Sequence, residues 1–242
     1  RNVTSEHVSN VSFDLRRGEV LGTAGLVGAG RSELAHALFG ADPILSGQVE
    51  IDGQAVDINS CASAIRHGIA LCPEDRKDQA LVLGRTVAEN ISQVILSRIS
   101  SFGFLSFRTE KDIAVDYVNR LDIRTPGIGK IVRELSGGNQ QKVVLSRWLA
   151  ANPKILILDE PTRGIDVGAK ADIYEIVNGL KTAGVAIILI SSELPEILGV
   201  CDRVLVMRGG TVAGELQREE ATEMRVMELA MFGASEMEEV RV

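Results

Sequence analysis

The sequence is poor in aromatic rings, in cysteine, in histidine and in excess positive charge, and each shortage narrows what the chain can be. Aromatic residues make up 4% of its 242 residues, too few for a platform on which successive bases stack. Lysine and arginine number 26 against 33 aspartate and glutamate, a formal net charge of −7. Binding to nucleic acid through phosphate neutralisation is therefore disfavoured. The three cysteines, Cys61, Cys72 and Cys201, follow neither a paired nor a metal-ligand spacing, which suits a reducing compartment. The three histidines, His7, His36 and His67, read as surface or core-edge residues rather than ligands. The longest purely apolar stretches, such as residues 185–190, have the length of a core strand and cannot span a bilayer. No signal-peptide pattern is visible, so a membrane role is expected to come through a partner. The chain begins at Arg1 rather than Met, and it is expected to be a piece of a longer protein.

What is present is an alternation of strand-length and helix-length segments. Residues 8–15 alternate apolar and polar side chains as a half-buried strand does. A strand at 20–24 leads into a glycine-rich loop and a short helix at 32–39, stopped by Gly40 and Pro43. Residues 47–53 form a strand with a turn at Asp52-Gly53, consistent with a small antiparallel layer. A helix at 60–67 and a buried strand at 69–72 follow. From 86 to 150 the pattern is mostly helical, with a Ser/Phe/Gly-rich connector at 97–107. In a helix at 109–121, Ile113, Val115, Tyr117, Val118 and Leu121 fall largely along one apolar stripe. Strand and helix then alternate again at 154–158, 167–181, 185–191, 195–200 and 203–207, which predicts a parallel sheet of the RecA-like α/β type. A hairpin joins 204–207 to 211–216, and a helix at 219–231 precedes an acidic end, Glu236 to Glu239, read as a solvated tail.

Three passages carry polar chemistry. Gly25, Gly28 and Gly30 punctuate the first strand-to-helix turn, where glycines let successive backbone N–H groups close around an anion without an intervening Cβ. The same turn is also a packing device in its own right. Ser136, Gly137, Gly138, Asn139 and Gln140 precede a predicted helix at 140–150. A hydroxyl, backbone N–H groups and the positive end of a helix dipole together make an anion receptor there, or an ordinary N-cap. Asp159 and Glu160 end an apolar strand directly before Pro161-Thr162-Arg163-Gly164-Ile165-Asp166, as a metal-and-water site or as an exposed strand end.

Taken in this order, Gly25 to Ser32, Leu135 to Lys142 and Asp159 to Asp166 resemble the nucleotide-binding domain of ABC transporters over nearly the whole chain. The variant Leu-Ser-Gly-Gly-Asn-Gln-Gln-Lys, followed by Asp-Glu-Pro-Thr-Arg-Gly-Ile-Asp-Val-Gly, resembles the carbohydrate importers of the ribose, galactose and xylose type. Their ATPase carries two fused cassettes, and the likeness is to the second, C-terminal one. The resemblance implies an α/β fold: a RecA-like P-loop core of about residues 1–77 and 151–242, an antiparallel β-layer and an inserted helical subdomain at about 78–150. It implies ATP and Mg²⁺. Gly25, Leu26, Val27, Gly28, Ala29, Gly30, Arg31, Ser32 and Glu33 would form the phosphate loop, with Glu74 and Ser192 completing the nucleotide contacts. Ser32, Glu74 and Asp159 would hold the metal, and Glu160 would be the general base. Ser136, Gly137, Gly138, Asn139, Gln140 and Asp166 would act on ATP held by a partner cassette. The implied partners are that cassette, N-terminal in the same polypeptide, a membrane permease, and indirectly a periplasmic or extracellular solute-binding protein. The implied location is the cytoplasmic face of the inner or plasma membrane.

Three residues depart from the family pattern: Arg31 replaces lysine, Glu74 glutamine and Ser192 histidine. Guanidinium is planar and fork-shaped where an ammonium is a compact point charge, so displacement of the cation is expected to harm turnover more than binding. No aromatic occurs at residues 1–6 to stack on adenine. The charged run Glu74 to Asp78 reads as a docking loop for the permease or as a solvated turn. Two alternatives stay open beside sugar import: a soluble ABC ATPase outside transport, and a nucleotide-sensing module without turnover.

Overall fold

A computed structural model describes residues 1–239, with side chains through residue 233. The side chains of the acidic run at 236–239 therefore lie outside the described residues. The chain forms two compact units, one comprising Arg1–Leu71, Lys154–Glu160 and the chain from Asn178 onward, the other Cys72–Pro153 and Pro161–Val177.

The first unit is organised by a six-stranded sheet. Its strands are β1 (Val20–Gly25), β4 (Ile69–Cys72), β7 (Ile155–Asp159), β8 (Ala186–Ile190), β9 (Arg203–Arg208) and β10 (Thr211–Gln217), in the spatial order β10-β9-β1-β8-β7-β4. β1 runs parallel to β8 and β9, β7 runs parallel to β8, and β10 is antiparallel to β9. The central strands are continuous apolar runs because a parallel sheet is covered on both faces; β8 is buried at every position. Asp202 fastens the start of β1, accepting the Val20 N–H at 2.9 Å and pairing with Lys181 Nζ at 2.5 Å.

The expected strand at 8–15 does not form. Asn10 takes a left-handed φ of 55°, which interrupts the extended run. Val8 and Val11, three residues apart, instead share one apolar cluster with Ala29, Leu34 and Met207. Only an isolated bridge, Val3 to Val11, remains of the pairing. The short hairpin follows its turn chemistry: β2 (Val49–Ile51) pairs antiparallel with β3 (Gln54–Val56). Asp52 and Gly53 between them have φ of 53° and 76°, the doubly positive geometry of a type I′ turn. Helix α1 (Arg31–Phe39) ends at Gly40, whose N–H reaches the Ala37 and His36 carbonyls. Ser60 caps α2 (Cys61–Arg66). Helices α7 (Leu194–Val200) and α8 (Glu223–Glu239) belong to the same unit, α8 being interrupted at Gly233, while α6 (Val167–Thr182) begins in the second unit and ends in the first.

The second unit is built on α3 (Val87–Ser92), α4 (Phe107–Arg120) and α5 (Gly137–Ala150). Thr86 and Glu89 close a reciprocal capping box on α3. The connector folds into a small hairpin, β5 (Ser100–Ser101) with β6 (Phe104–Leu105). The stripe expected on α4 is largely kept, with Ile113, Tyr117, Val118 and Leu121 half-buried. Its buried members are Glu110 and Ala114, the carboxylate accepting a 2.6 Å hydrogen bond from the Ser92 hydroxyl, while Val115 is exposed. α5 is buried from Gln140 to Ala150. Its Arg147 satisfies the backbone and side-chain oxygens of Asn90 at 2.8 Å each and also donates to the Ala80 carbonyl. A buried guanidinium is tolerated on such terms, since every donor left bare would carry its full desolvation cost.

Candidate nucleotide-binding site

β1 delivers the chain to Gly25, where an added Cβ would lie 2.4 Å from the Met207 carbonyl oxygen; only glycine fits that approach. At Gly28, with φ of 77°, an added Cβ meets nothing within 4 Å. The demand there is for left-handed backbone, not for space. The loop is stitched to the β9–β10 turn by a 2.9 Å bond from Gly210 N–H to the Ala29 carbonyl. The first-turn N–H groups of α1 have no intrahelical acceptor and coincide with the positive end of the helix dipole. A glycine turn leading into such a helix tip can receive a phosphate.

The carboxylates of the first unit are close at hand. Asp159 ends β7 and is 1% exposed. Burial pushes its carboxyl pKa up, opposed by the Ser32 hydroxyl and by the charges of His36 and Arg31. Its Oδ1 is buried without a hydrogen-bond partner. An orphaned carboxylate oxygen beside a serine hydroxyl is an oxygen donor set for a small hard cation. Glu160 adopts a left-handed φ of 47°, a strained state for a residue with a Cβ. Its N–H donates to the Ile190 carbonyl at 2.9 Å and its Oε2 accepts from the Ser192 hydroxyl at 3.2 Å. Burial raises its pKa as well, while Ser192 and Arg31 draw it back. Arg31 Nη1 donates to the Ser191 carbonyl at 2.8 Å. Arg31, Ser32, Asp159, Glu160 and Ser192 thus form one cluster, with Ser191 as a member that the sequence did not flag. A backbone carbonyl leaves no mark in the sequence.

In the second unit Ser136 caps α5, its hydroxyl oxygen accepting from Asn139 Nδ2 at 2.9 Å. The hydroxyl keeps its own proton to donate, so the capping and receptor readings are compatible. Asn139 Oδ1 accepts the Arg124 N–H at 2.8 Å, and Gln140 Nε2 donates to the Val132 carbonyl at 3.2 Å. An added Cβ at Gly138 would be 2.5 Å from Ala169 Cβ. Asp166 in turn accepts the Ala169 N–H at 3.0 Å. Ser136, Asn139 and Asp166, with Arg124 and Lys142, line a cleft of about 190 Å³. Glu74 also belongs to this unit, where it is ion-paired with Arg163.

Among the described residues no group of three or more His, Cys, Asp or Glu side chains converges as a metal cage. No helix of the described residues is long and apolar enough to cross a membrane.

A parallel sheet, a glycine turn into a helix tip and a buried strand-end carboxylate define the RecA-like P-loop class. Comparison with known proteins narrows it: the ABC transporter family model matches residues 8–163, and the chain belongs to that family. It is 50% identical over 225 residues to a putative ribose/galactose/methyl galactoside import ATP-binding protein of Agrobacterium fabrum, covering 93% of this chain and 45% of that protein. It is 52% identical over 222 residues to a ribose import ATP-binding protein of Streptomyces avermitilis, covering 92% and 42%. The chain thus spans less than half the length of these curated relatives. Among solved structures, a nucleotide-free ATP-binding cassette from an ABC transporter superimposes with a TM-score of 0.82 at 23% identity, over 96% of this chain and 97% of that one.

Proposed function

We propose that this chain is an ATP-binding cassette that energises import of a monosaccharide or similar small solute through a membrane permease; its relatives are named as sugar import ATP-binding proteins. Its partner cassette belongs to the same polypeptide, and the assembly works at the cytoplasmic face of the membrane with an external solute-binding protein. Within the second unit, residues from about 78 to 150 serve as the helical subdomain. The observation that carries the reading is the glycine cradle of Gly25, Gly28 and Gly30 with the Ser32 hydroxyl against Asp159, whose Oδ1 lacks a partner.

In this reading the loop's N–H groups would bind the phosphate tail of ATP, Ser32 and Asp159 would hold Mg²⁺, and Glu160 would orient water and accept its proton. The metal would supply charge neutralisation at the phosphate. Several features weaken turnover at this chain's own site. The Arg31 fork is engaged by the Ser191 carbonyl, Glu160 is engaged by Ser192, and Glu74 is paired with Arg163. Ser136 to Gln140 and Asp166 complete the partner's site instead.

Two measurements test this. Titration with Mg-ATP is expected to show binding by the chain; a polypeptide that stays unliganded refutes the reading. Arg31→Lys in the full-length protein is expected to change turnover by less than about tenfold, because several losses limit the site together; a large rise contradicts that. The same Arg31–Ser191 bond also favours a second reading, a nucleotide-sensing module. Binding by the chain alone without phosphate release supports it.

A further inference from the structure

One arginine in the second unit is bound in a way that neither the motif pattern nor the proposed function assigns. Arg76 opens a single π-helical turn, Arg76–Ala80, which Asp75 caps by accepting the Lys77 and Asp78 N–H groups at 2.9 and 3.1 Å. From this anchored backbone the guanidinium donates to two consecutive carbonyls, Arg163 at 2.7 Å from Nη1 and Gly164 at 3.1 Å from Nη2. Its Nε is buried and has no hydrogen-bond partner. Holding a group at that cost implies that the fork is placed for geometry rather than for its own satisfaction. On the other side Nη2 packs on the signature tip: a Cβ added at Gly137 would lie 2.9 Å from it. The two segments that Arg76 touches are those that present Asp166 and Ser136. Both residues line the same cleft.

We propose that Arg76 is a positioning residue: it clamps the Arg163–Gly164 carbonyls against the Gly137 tip, so that Ser136 and Asp166 stand in fixed register for the phosphate tail on a neighbouring cassette. The proposal rests on the reading that this face acts on a partner's nucleotide. A planar fork reaches two adjacent carbonyls at once, whereas a lysine reaches one at a time. The Glu74–Arg163 ion pair is a second tie from the same loop, so a push on the Glu74–Arg76 segment reaches Arg163 and Gly164 directly. A glycine at 137 is then required by Arg76.

The test uses the full-length protein with its permease and compares Arg76→Gln, Arg76→Lys, Gly137→Ala, the double variant Arg76→Gln/Gly137→Ala, and Ser136→Ala, each checked for an intact thermal transition. Arg76→Gln and Arg76→Lys are both expected to lower kcat for Mg-ATP about tenfold while KM stays within about twofold. The double variant is expected to lose little more than either single one, because both break the same contact. Full activity of Arg76→Lys overturns the proposal, since charge alone would then suffice. A loss confined to KM, or losses that multiply in the double variant, also overturn it. If Ser136→Ala abolishes turnover and Arg76→Gln does not, the clamp fails while the function stands; if neither has an effect, both fail. An Arg76→Gln protein that does not fold leaves the decision to Arg76→Lys.

Discussion

Around the glycine loop of the first unit, charged groups are poorly accommodated; around Ser136 in the second, polar groups are bonded to their neighbours. Asp159 is buried with an orphaned oxygen, Glu160 is held in a left-handed conformation, and burial raises the pKa of both. Ser136, Asn139 and Gln140 each have a partner within the second unit, and Gly138 closes against Ala169. In the proposed reading the difference separates two tasks. A strained carboxylate cluster is stabilised when a cation and a phosphate arrive, whereas a pre-bonded helix tip presents its donors without reorganising. The departures from the family pattern at Arg31 and Ser192 fall in the first cluster; the third, Glu74, lies in the second unit, where Ser136 to Gln140 carry none.

The comparison breaks most severely if Ser136→Ala is harmless. Turnover of the full-length protein is expected to fall on the order of 10²-fold, the scale of losing one pre-placed donor. The lost cap itself should cost only about 1 kcal/mol of unfolding free energy. Next come the loop glycines, read by denaturant unfolding. Gly25→Ala drives a methyl into the Met207 carbonyl and should cost on the order of 3 kcal/mol. Gly28→Ala enters open space and should cost only about 1 kcal/mol for its left-handed backbone. Equal losses at the two positions would deny that Gly25 is fixed by packing and Gly28 by conformation. The smallest effect belongs to Asp202. Burial raises its pKa, but hydrogen bonds from Lys181 and Val20 outweigh this, and the net shift is downward. A depressed folded-state pKa adds stability above the ordinary carboxylate range and loses it as pH falls through the folded value. Asp202→Asn should therefore cost about 1 kcal/mol at pH 7, with the gap closing in acid. A gap that persists in acid would mean that the carboxylate charge is not what matters there.

What the sequence made legible followed from rules that bind side chains to backbone. The spacing of Gly25, Gly28 and Gly30 marked the loop, because Gly25 and Gly30 relieve close contacts and Gly28 supplies left-handed backbone. Asp52-Gly53 marked the hairpin, because few pairs adopt two positive φ values. The apolar runs of β7 and β8 announced a sheet covered on both faces. Residues 8–15 misled because alternation was counted without Asn10, whose left-handed turn brings Val8 and Val11 to one side. Val115 misled because it lies off the face that Glu110 and Ala114 share with the rest of the stripe; a carboxylate satisfied by Ser92 was not foreseeable at a core position. The partners of Arg31 and Arg76 were illegible for a single reason: both guanidinium groups bond backbone carbonyls, and every residue has one.

The bond from Arg31 to the Ser191 carbonyl has a consequence for the interval between nucleotides. With a resident cation within range of Asp159 and Glu160, the pocket carries its own counter-ion. Departure of a ligand then leaves two acidic groups still partly neutralised, and the strand ends need not spring apart by repulsion. In the proposed reading, such a pocket can stay assembled while its ligand exchanges.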